Sequence, residues 1–592
     1  MEKEDIVKAL QNTNRSRLIE AVLGKRPVDL TIENIRLVNV ITGEIYPASV
    51  DIADGMVVMV REGNTQTCPN ALEHFDGEGR YLIPGFIDTH VHVESTMMIP
   101  ENFARAVLPY GTTTVISDPH EIANVMGVEG ILFMLENAKK APLRHYMLAS
   151  PCVPSVPGME DSGSLFTEKE IGFLLDQPGV IGIAELMNYV DISHDDERMH
   201  RIIGEGIKRG VFLQGHAPRL SGSLLAAYRL AGPMSDHECR SAEEAIEKTR
   251  MGMHVNLKTS SLSNHLPEAL NGVKQQRWND NVSLCTDDVH AQVIYTEGHL
   301  NRVVGRAIAY GADPVEAIRF ATYNAAREYG FEDLGAIAPG FAADMQLVDE
   351  LDGRRPSCVW MEGKMISREG ILIWEQEPSY IEYQSTVHLS YLKEAQDFLL
   401  KAPSGDMETL VIHSRCDGPF NKAYYEKLPI VNHCVDLSGN PDLAYVCVCN
   451  RHGKNQKTIS VIRGFGVTSG AFAATVAHDC HNLVMIYRNP EDALLAVRQI
   501  EEMGGGMVYA ENRRIAASLP LPVAGIMSSL TCDKLAPQVE AMEQVVKERC
   551  NGNWLLKHAT ICLAALPGTI ITDKGVMDGN SRKFMDQFRT NI

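Results

Sequence analysis

Residues 82–95 read LIPGFIDTHVHVES, an apolar run that closes on two histidines, His90 and His92. Successive side chains of a strand point to opposite faces, so residues two apart share one face, here at the strand's carboxyl end. Neutral imidazole is a common ligand for divalent metals, and two on one strand face can share an ion with little rearrangement. A bare His-x-His is frequent by chance. At the end of an extended Pro-Gly-Phe-Ile-Asp run it carries more weight, because parallel barrels build their active sites at the carboxyl ends of their strands.

Downstream, short β-rich runs alternate with helix-patterned segments up to about residue 330. TTTVIS precedes EGILFMLENAKK, VIGIAEL precedes DERMHRIIGEGIKRG, and VFLQGHA precedes GSLLAAYRLAG. Such βα alternation predicts an α/β fold with a parallel sheet or barrel. Strand ends in this region carry further ligand-type residues in order: Glu185 in GVIGIAEL, His216 in VFLQGHA, His237 in GPMSDHE and Asp287 after NVSLCT. A lone His or Glu at a strand end is more often a hydrogen-bonded structural residue. The ordered set His, His, Glu, His, His, Asp is hard to obtain by accident. Asp288 and Glu238, each beside a candidate ligand, are expected to orient it. The loop SDPHE adds Asp118, His120 and Glu121 at another expected strand end; the competing reading is that Asp118 and Glu121 cap a helix beginning near Ile122.

Two stretches of short strands with turns, at about 29–60 and 341–373, flank the repeating region, and their matching texture predicts one small β unit split by the insertion. From about 385 the tail restarts with its own strands (TLVIHS, AYVCVCN, KTISVIRGF, NLVMIYR) and helices (PEDALLAVRQIEEMG, KLAPQVEAMEQVVKE), the pattern of a separate α/β domain. With 45% hydrophobic and 22% charged residues over 592 positions, the chain can bury a large core. Acidic side chains number 76 against 55 basic ones, a formal charge of −21, and no basic run tracks a phosphate backbone. Nucleic acid and anionic membrane are therefore not expected partners. The first residues are charged and helix-patterned, and no stretch reaches the roughly 18 apolar residues of a spanning helix, which predicts a soluble, cytoplasmic protein. The 13 cysteines, an odd count without a CxxC pair, point to reduced thiols, with Cys447 and Cys449 on one buried strand face.

The ordered set resembles the binuclear-metal sites of the amidohydrolase superfamily, and the surrounding text is similar to the bacterial adenine deaminase family. The likeness runs over nearly the whole chain: VNVITGEIYPASVDIADG, HVHVEST, SDPHEIANVMG, GIAELMNY, GHAP, SDHE, TDD, LGAIAPGFAADM, and in the tail TVAHDCHNL and Gly504 to Gly506. It implies a distorted (β/α)8 barrel at 82–335, a small β-sandwich assembled from 1–81 and 336–384, and a C-terminal α/β domain at 385–592. It also implies two divalent ions, manganese or iron with zinc as a further option: His90, His92 and Asp287 on the first, His216 and His237 on the second, Glu185 bridging. The implied activity is hydrolysis of adenine to hypoxanthine and ammonia in purine salvage, by a homo-oligomer. Attack at C6 needs a group that collects a proton and returns it to the leaving amine, and Asp287 is the candidate. Asp118, His120 and Glu121 stay open as donors to the ring nitrogen beside C6.

One segment departs from the family pattern. Where an Arg-Glu-Gly-Ser type sequence is expected after the sixth strand, the chain has HVNLKTSSLSNHL, with Lys258, Thr259, Ser260 and Ser261. That keeps N6-substituted adenine as an alternative substrate, with another cyclic-amide hydrolase and a silent binding paralogue as further readings. In the tail, His478, Asp479 and His481 read either as a site or as a polar turn. Gly504 to Gly506 read as a turn in preference to an anion-binding nest.

Overall fold

The computed structural model describes residues 15–590 except 64–69, 262, 375–384, 404, 415–419 and 553–554. The helix-patterned start gives the helix Arg15–Val22, and residues 1–14 of that reading lie outside the described residues. Eight strands then build the barrel in chain order: Phe86–His92, Thr112–Ser117, Arg144–Ala149, Val180–Leu186, Phe212–Gly215, Ser235–Asp236, His254–Lys258 and Val282–Cys285. The first five pair in parallel in sequence order, as do the last three. Between the fifth and sixth strands the ladder breaks, and the Met234 N–H donates to the Leu213 carbonyl at 2.8 Å across the gap. The ring closes where Asp287–Asp288, just past the eighth strand, pairs with the first. These two seams are the distortion of the (β/α)8 barrel.

Every residue of the first, second and fourth strands is buried, so these strands read as apolar runs without alternation, as parallel strands covered on both faces do. The helices carry their end signals in sequence. Asp196 accepts the Met199 N–H at 2.9 Å to cap Glu197–Arg209, whose basic last turn stops at left-handed Gly210. Ser241 caps Ala242–Arg250 in the same way.

The two flanking stretches join one nine-stranded sheet. Its hinge is Tyr81–Pro84, which pairs with Val28–Asn39 on one side and Met345–Val348 on the other. The tail forms a second nine-stranded sheet, mostly antiparallel, with Met407–His413 parallel to Lys457–Arg463. Alternation along Leu443–Cys449 divides its packing: Tyr445, Cys447 and Cys449 face the helix Pro490–Glu502, while Ala444, Val446 and Val448 belong to the apolar cluster that runs into the barrel. The C-terminal sheet is thereby seated on the barrel, and the eleven described cysteines are free thiols. Gly504 to Gly506 make a close turn: a Cβ on Gly505 would come within 2.3 Å of Gly525 Cα, and the Gly506 N–H is already taken by Thr475 Oγ1 at 2.7 Å. Among the described residues no helix is long and apolar enough to cross a membrane.

Candidate active site

The barrel brings all six predicted ligand residues to one end. His90 and His92 leave the first strand together, Glu185 stands near the end of the fourth, His216 and His237 follow the fifth and sixth, and Asp287 follows the eighth. Asp287 Oδ1 lies 3.3 Å from both His90 Nε2 and His92 Nε2. Glu185 divides its oxygens: Oε1 is 3.5 Å from His92 Nε2, and Oε2 is 2.6 Å from His216 Nδ1 and 3.2 Å from His237 Nε2. Two strand-end contacts hold this arrangement. Tyr228, returned by the helix Gly222–Ala231, donates to the Leu186 carbonyl at 2.8 Å and accepts the His216 N–H at 2.9 Å. Asp236 accepts the Ala217 N–H at 2.7 Å and pairs with buried Lys248 at 2.8 Å.

Hydrogen bonding at the far side of each ring decides what the near side offers. His90 Nδ1 is 2.9 Å from Gln214 Oε1, and the Gln214 amide nitrogen is turned the other way, toward the Thr89 carbonyl at 3.2 Å. His92 Nδ1 is 3.1 Å from the Asp118 carbonyl. Both acceptors lack a proton, so each Nδ1 carries the hydrogen and each Nε2 presents a lone pair. In that neutral form two lone pairs meet one carboxylate oxygen, each nitrogen 3.3 Å from Asp287 Oδ1, and a cation there would take the place of the proton that His92 otherwise holds toward Asp287. That is a donor set shaped for a cation, and His90 Nε2 has no hydrogen-bond partner of its own. Groups of His, Asp and Glu with ligand atoms close enough to share an ion include His90 with His92 and Asp287, and His90 with Glu185 and His237.

The charges tell the same story. Burial pushes both carboxylates up, but Lys258 and the facing imidazoles hold Asp287 well below its ordinary range, and His216 with its neighbours does so for Glu185. Burial pulls His92 down, yet its bond to Asp287 and the charges of Asp288 and Glu185 carry it well above the usual histidine value. His237 goes the other way, lowered to about 4 by burial and by His90. The cluster draws in positive charge, as a divalent metal site does.

In the SDPHE loop Glu121 stands in the first turn of a helix, as the dipole reading expects, but no hydrogen-bonded cap forms. The helix His120–Met126 has no side-chain cap from its preceding residue, and Glu94 Oε1 accepts the Ile122 N–H at 3.2 Å instead. Asp118 accepts the Ser150 hydroxyl at 2.6 Å and faces His120 Nδ1 at 3.2 Å, and that nitrogen is also 3.3 Å from Glu185 Oε1. Of the three, His120 lines the cavity; Asp118 and Glu121 sit behind it. Asp288 and Glu238 do not hydrogen-bond a cluster imidazole: Asp288 accepts the Ser95 hydroxyl at 2.5 Å, and Glu238 pairs with Arg240 and Lys258. Gln214 and the Asp118 carbonyl do the orienting. Sequence reading passed over Gln214, although its spacing from His216 puts both on the same face of an apolar strand. The departing segment proves to be structural to the site, for Lys258 Nζ donates to Asp287 Oδ2 at 2.6 Å.

A cavity of about 560 Å³ opens above the cluster, within the range of small-molecule sites. Its floor is the barrel set, and its wall includes Met187, Tyr189, Glu238 and Lys258. The C-terminal domain supplies the rest, including His478, Asp479, Ala559, Leu563 and Leu566. His478 and Asp479 of the tail motif thus line this cavity, while His481 does not.

Comparison with known proteins gives two family matches along the chain. Residues 81–366 match the amidohydrolase family model, and residues 420–583 match the adenine deaminase C-terminal domain model. The chain is 34% identical to adenine deaminase 2 of Carboxydothermus hydrogenoformans over 95% of its own length and 97% of that protein. It is also 34% identical to the adenine deaminase of Kosmotoga olearia, over 96% of this chain and 98% of that protein. Among solved structures, a beta-aspartyl dipeptidase from Fervidobacterium islandicum AW-1 aligns with a TM-score of 0.45 and 19% identity, covering 59% of this chain and 99% of that one. With 34% identity to adenine deaminases over nearly the full length of both chains, and with both family models matched, the chain belongs to the adenine deaminase family of amidohydrolases.

Proposed function

We propose that this protein is a hydrolase that converts adenine and water into hypoxanthine and ammonia. The observation that carries the reading is the divided Glu185 carboxylate, one oxygen toward each group of imidazoles, at the floor of a small-molecule cavity in a chain of this family. In this reading His90, His92 and Asp287 would hold one divalent ion, His216 and His237 would hold a second, and Glu185 would serve both. Manganese or iron(II) suits imidazole and carboxylate donors, and zinc is also compatible. When bound, such ions supply Lewis acidity and make water acidic near neutral pH.

The chain's own residues then divide the remaining work. Asp287 collects a proton from the attacking water and returns it to the departing amine at C6, a transfer worth about 10² to 10⁴ in rate. Lys258 fixes Asp287 Oδ2, so Oδ1 is the oxygen left facing the cluster. His120, the member of the SDPHE trio on the cavity wall, donates to the ring nitrogen beside C6, while Asp118 holds its Nδ1 side. Apolar side chains of residues 559–566 cover the flat face of the base and exclude water. The same logic divides the chain into 1–81, 82–335, 336–384 and 385–592, with the last segment completing the cavity.

The test is ammonia release from adenine by manganese-loaded protein, expected at a turnover of about 1 to 1000 per second. Metal-replete protein that releases no ammonia would overturn the reading. N6-methyladenine belongs in the same assay, because Lys258, in the segment that departs from the family pattern, stands on the cavity wall together with Glu238.

A further inference from the structure

Glu121 turns away from the barrel cluster and toward the C-terminal loop. Its Oε1 lies 2.7 Å from the Ser95 hydroxyl oxygen and faces His478 Nδ1 at 3.6 Å, and its Oε2 faces His481 Nε2 at 3.7 Å. His481 Nδ1 accepts the Ala477 N–H at 3.1 Å, so its own proton sits on Nε2 and points at Glu121. With His478 Nδ1 on the same carboxylate, its Nε2 is left buried and without a hydrogen-bond partner. Asp479 comes next. Its Oδ1 is 3.7 Å from His120 Nε2, and its Oδ2 has no hydrogen-bond partner. His478 is 7% exposed and Asp479 3%, and both line the cavity. The loop is braced from behind, by the Arg451 guanidinium on the His481 carbonyl and by the Asn482 amide on the Asp161 carbonyl at 2.9 Å.

Buried polar atoms in a braced loop call for partners, and besides the Ser155 hydroxyl near Asp479 the cavity that both residues line is open to supply one. Position narrows its chemistry. The ring of His120 spans from Glu185 Oε1, 3.3 Å from its Nδ1, to Asp479 Oδ1, 3.7 Å from its Nε2. A planar base with its reacting carbon at Glu185 and Asp287 therefore offers its far edge to Asp479. In a free purine that edge carries an imidazole-ring N–H, a donor for a carboxylate. In a nucleoside the N–H is replaced by a bond to the sugar.

We infer that Asp479 accepts the imidazole-ring N–H of a free purine base, with His478 flanking the same edge, so that the C-terminal domain selects free bases over nucleosides. The inference rests on the adenine reading above and adds to it the group that reads the far edge of the substrate. A carboxylate–N–H bond of this kind is a charge-assisted one, and its loss weakens binding by about 10- to 100-fold.

The test is a ligand and residue cycle on manganese-loaded, full-length protein. Hypoxanthine and 9-methylhypoxanthine, which lacks the N–H, are titrated calorimetrically into the wild type and Asp479→Asn, with metal content measured on both. The expected result is that Asp479→Asn weakens hypoxanthine by about 10- to 100-fold, leaves 9-methylhypoxanthine nearly unchanged, and keeps its metal. In turnover, KM for adenine should rise more than kcat falls. Equal losses for both ligands, or none, would overturn the inference. So would a fall in metal content, which would assign His120, Glu121, His478 and Asp479 to a further cation. A wild type that binds and deaminates adenine beside an unaffected variant removes this inference alone; a wild type that binds neither base removes the adenine reading with it.

Discussion

The imidazoles of the barrel and those of the C-terminal loop are wired in opposite senses. His90 and His92 spend their Nδ1 hydrogens on an amide oxygen and a backbone carbonyl, which turns their Nε2 lone pairs into the cluster. His481 accepts a backbone N–H at Nδ1, which forces its hydrogen onto Nε2 and toward a carboxylate. The same side chain is thus prepared as a ligand in one region and as a hydrogen-bond donor in the other. The choice is made by one neighbour on the far side of each ring.

The most severe way to break the comparison is at the shared carboxylate. Glu185→Ala should empty at least one metal position by elemental analysis and abolish turnover, and full metal content in that variant would end the bridging role. Asp287→Asn should retain much of its metal while turnover falls by about 10² to 10⁴. Unchanged activity would remove Asp287 from the proton transfer. A milder probe reaches the tautomer itself: Gln214→Leu deletes the acceptor behind His90 and should cost about 10- to 100-fold in metal affinity by chelator competition. His481→Gln, which replaces a donor by a donor, should leave metal content unchanged.

The smallest effect concerns a histidine that serves neither purpose. His299 is fully buried against Thr112 Oγ1 at 3.0 Å, and burial, helped by Arg302, lowers its pKa to about 3. In the unfolded chain a histidine titrates near 6.5. Between these values the unfolded state binds a proton that the folded state refuses, so stability is complete above pH 6.5 and falls as the pH drops below it. The slope is at most about 1.4 kcal/mol per pH unit from this residue. Urea midpoints at pH 7 and pH 5.5 should differ less for His299→Gln than for the wild type; equal differences would show that His299 carries none of the acid sensitivity.

Much of the site was legible because it follows from local order. A strand that ends in His-x-His must put both rings on one face, and βα alternation must bring successive strand ends to one rim. Glu185, His216, His237 and Asp287 could therefore be placed from position alone. Asp118 and Glu121 make no hydrogen-bonded helix cap because the acceptor that serves Ile122, Glu94, comes from a different strand end, while Glu121 keeps its place in the first turn. Lys258 was visible as a departure, but its bond to Asp287 depends on the pairing of the seventh and eighth strands.

By itself, then, the sequence determined which residues could bind metal and on which element each sits, since strand periodicity is a property of the backbone. Tertiary structure decided the rest. Ring tautomers depend on partners more than a hundred residues away, as His90 does on Gln214. The depth of the cavity depends on a C-terminal sheet whose Val446 and Val448 face joins the barrel core and so carries His478 and Asp479 to the rim. No local pattern encodes such a meeting, because it is the burial of two apolar faces against each other that brings the polar loop into place.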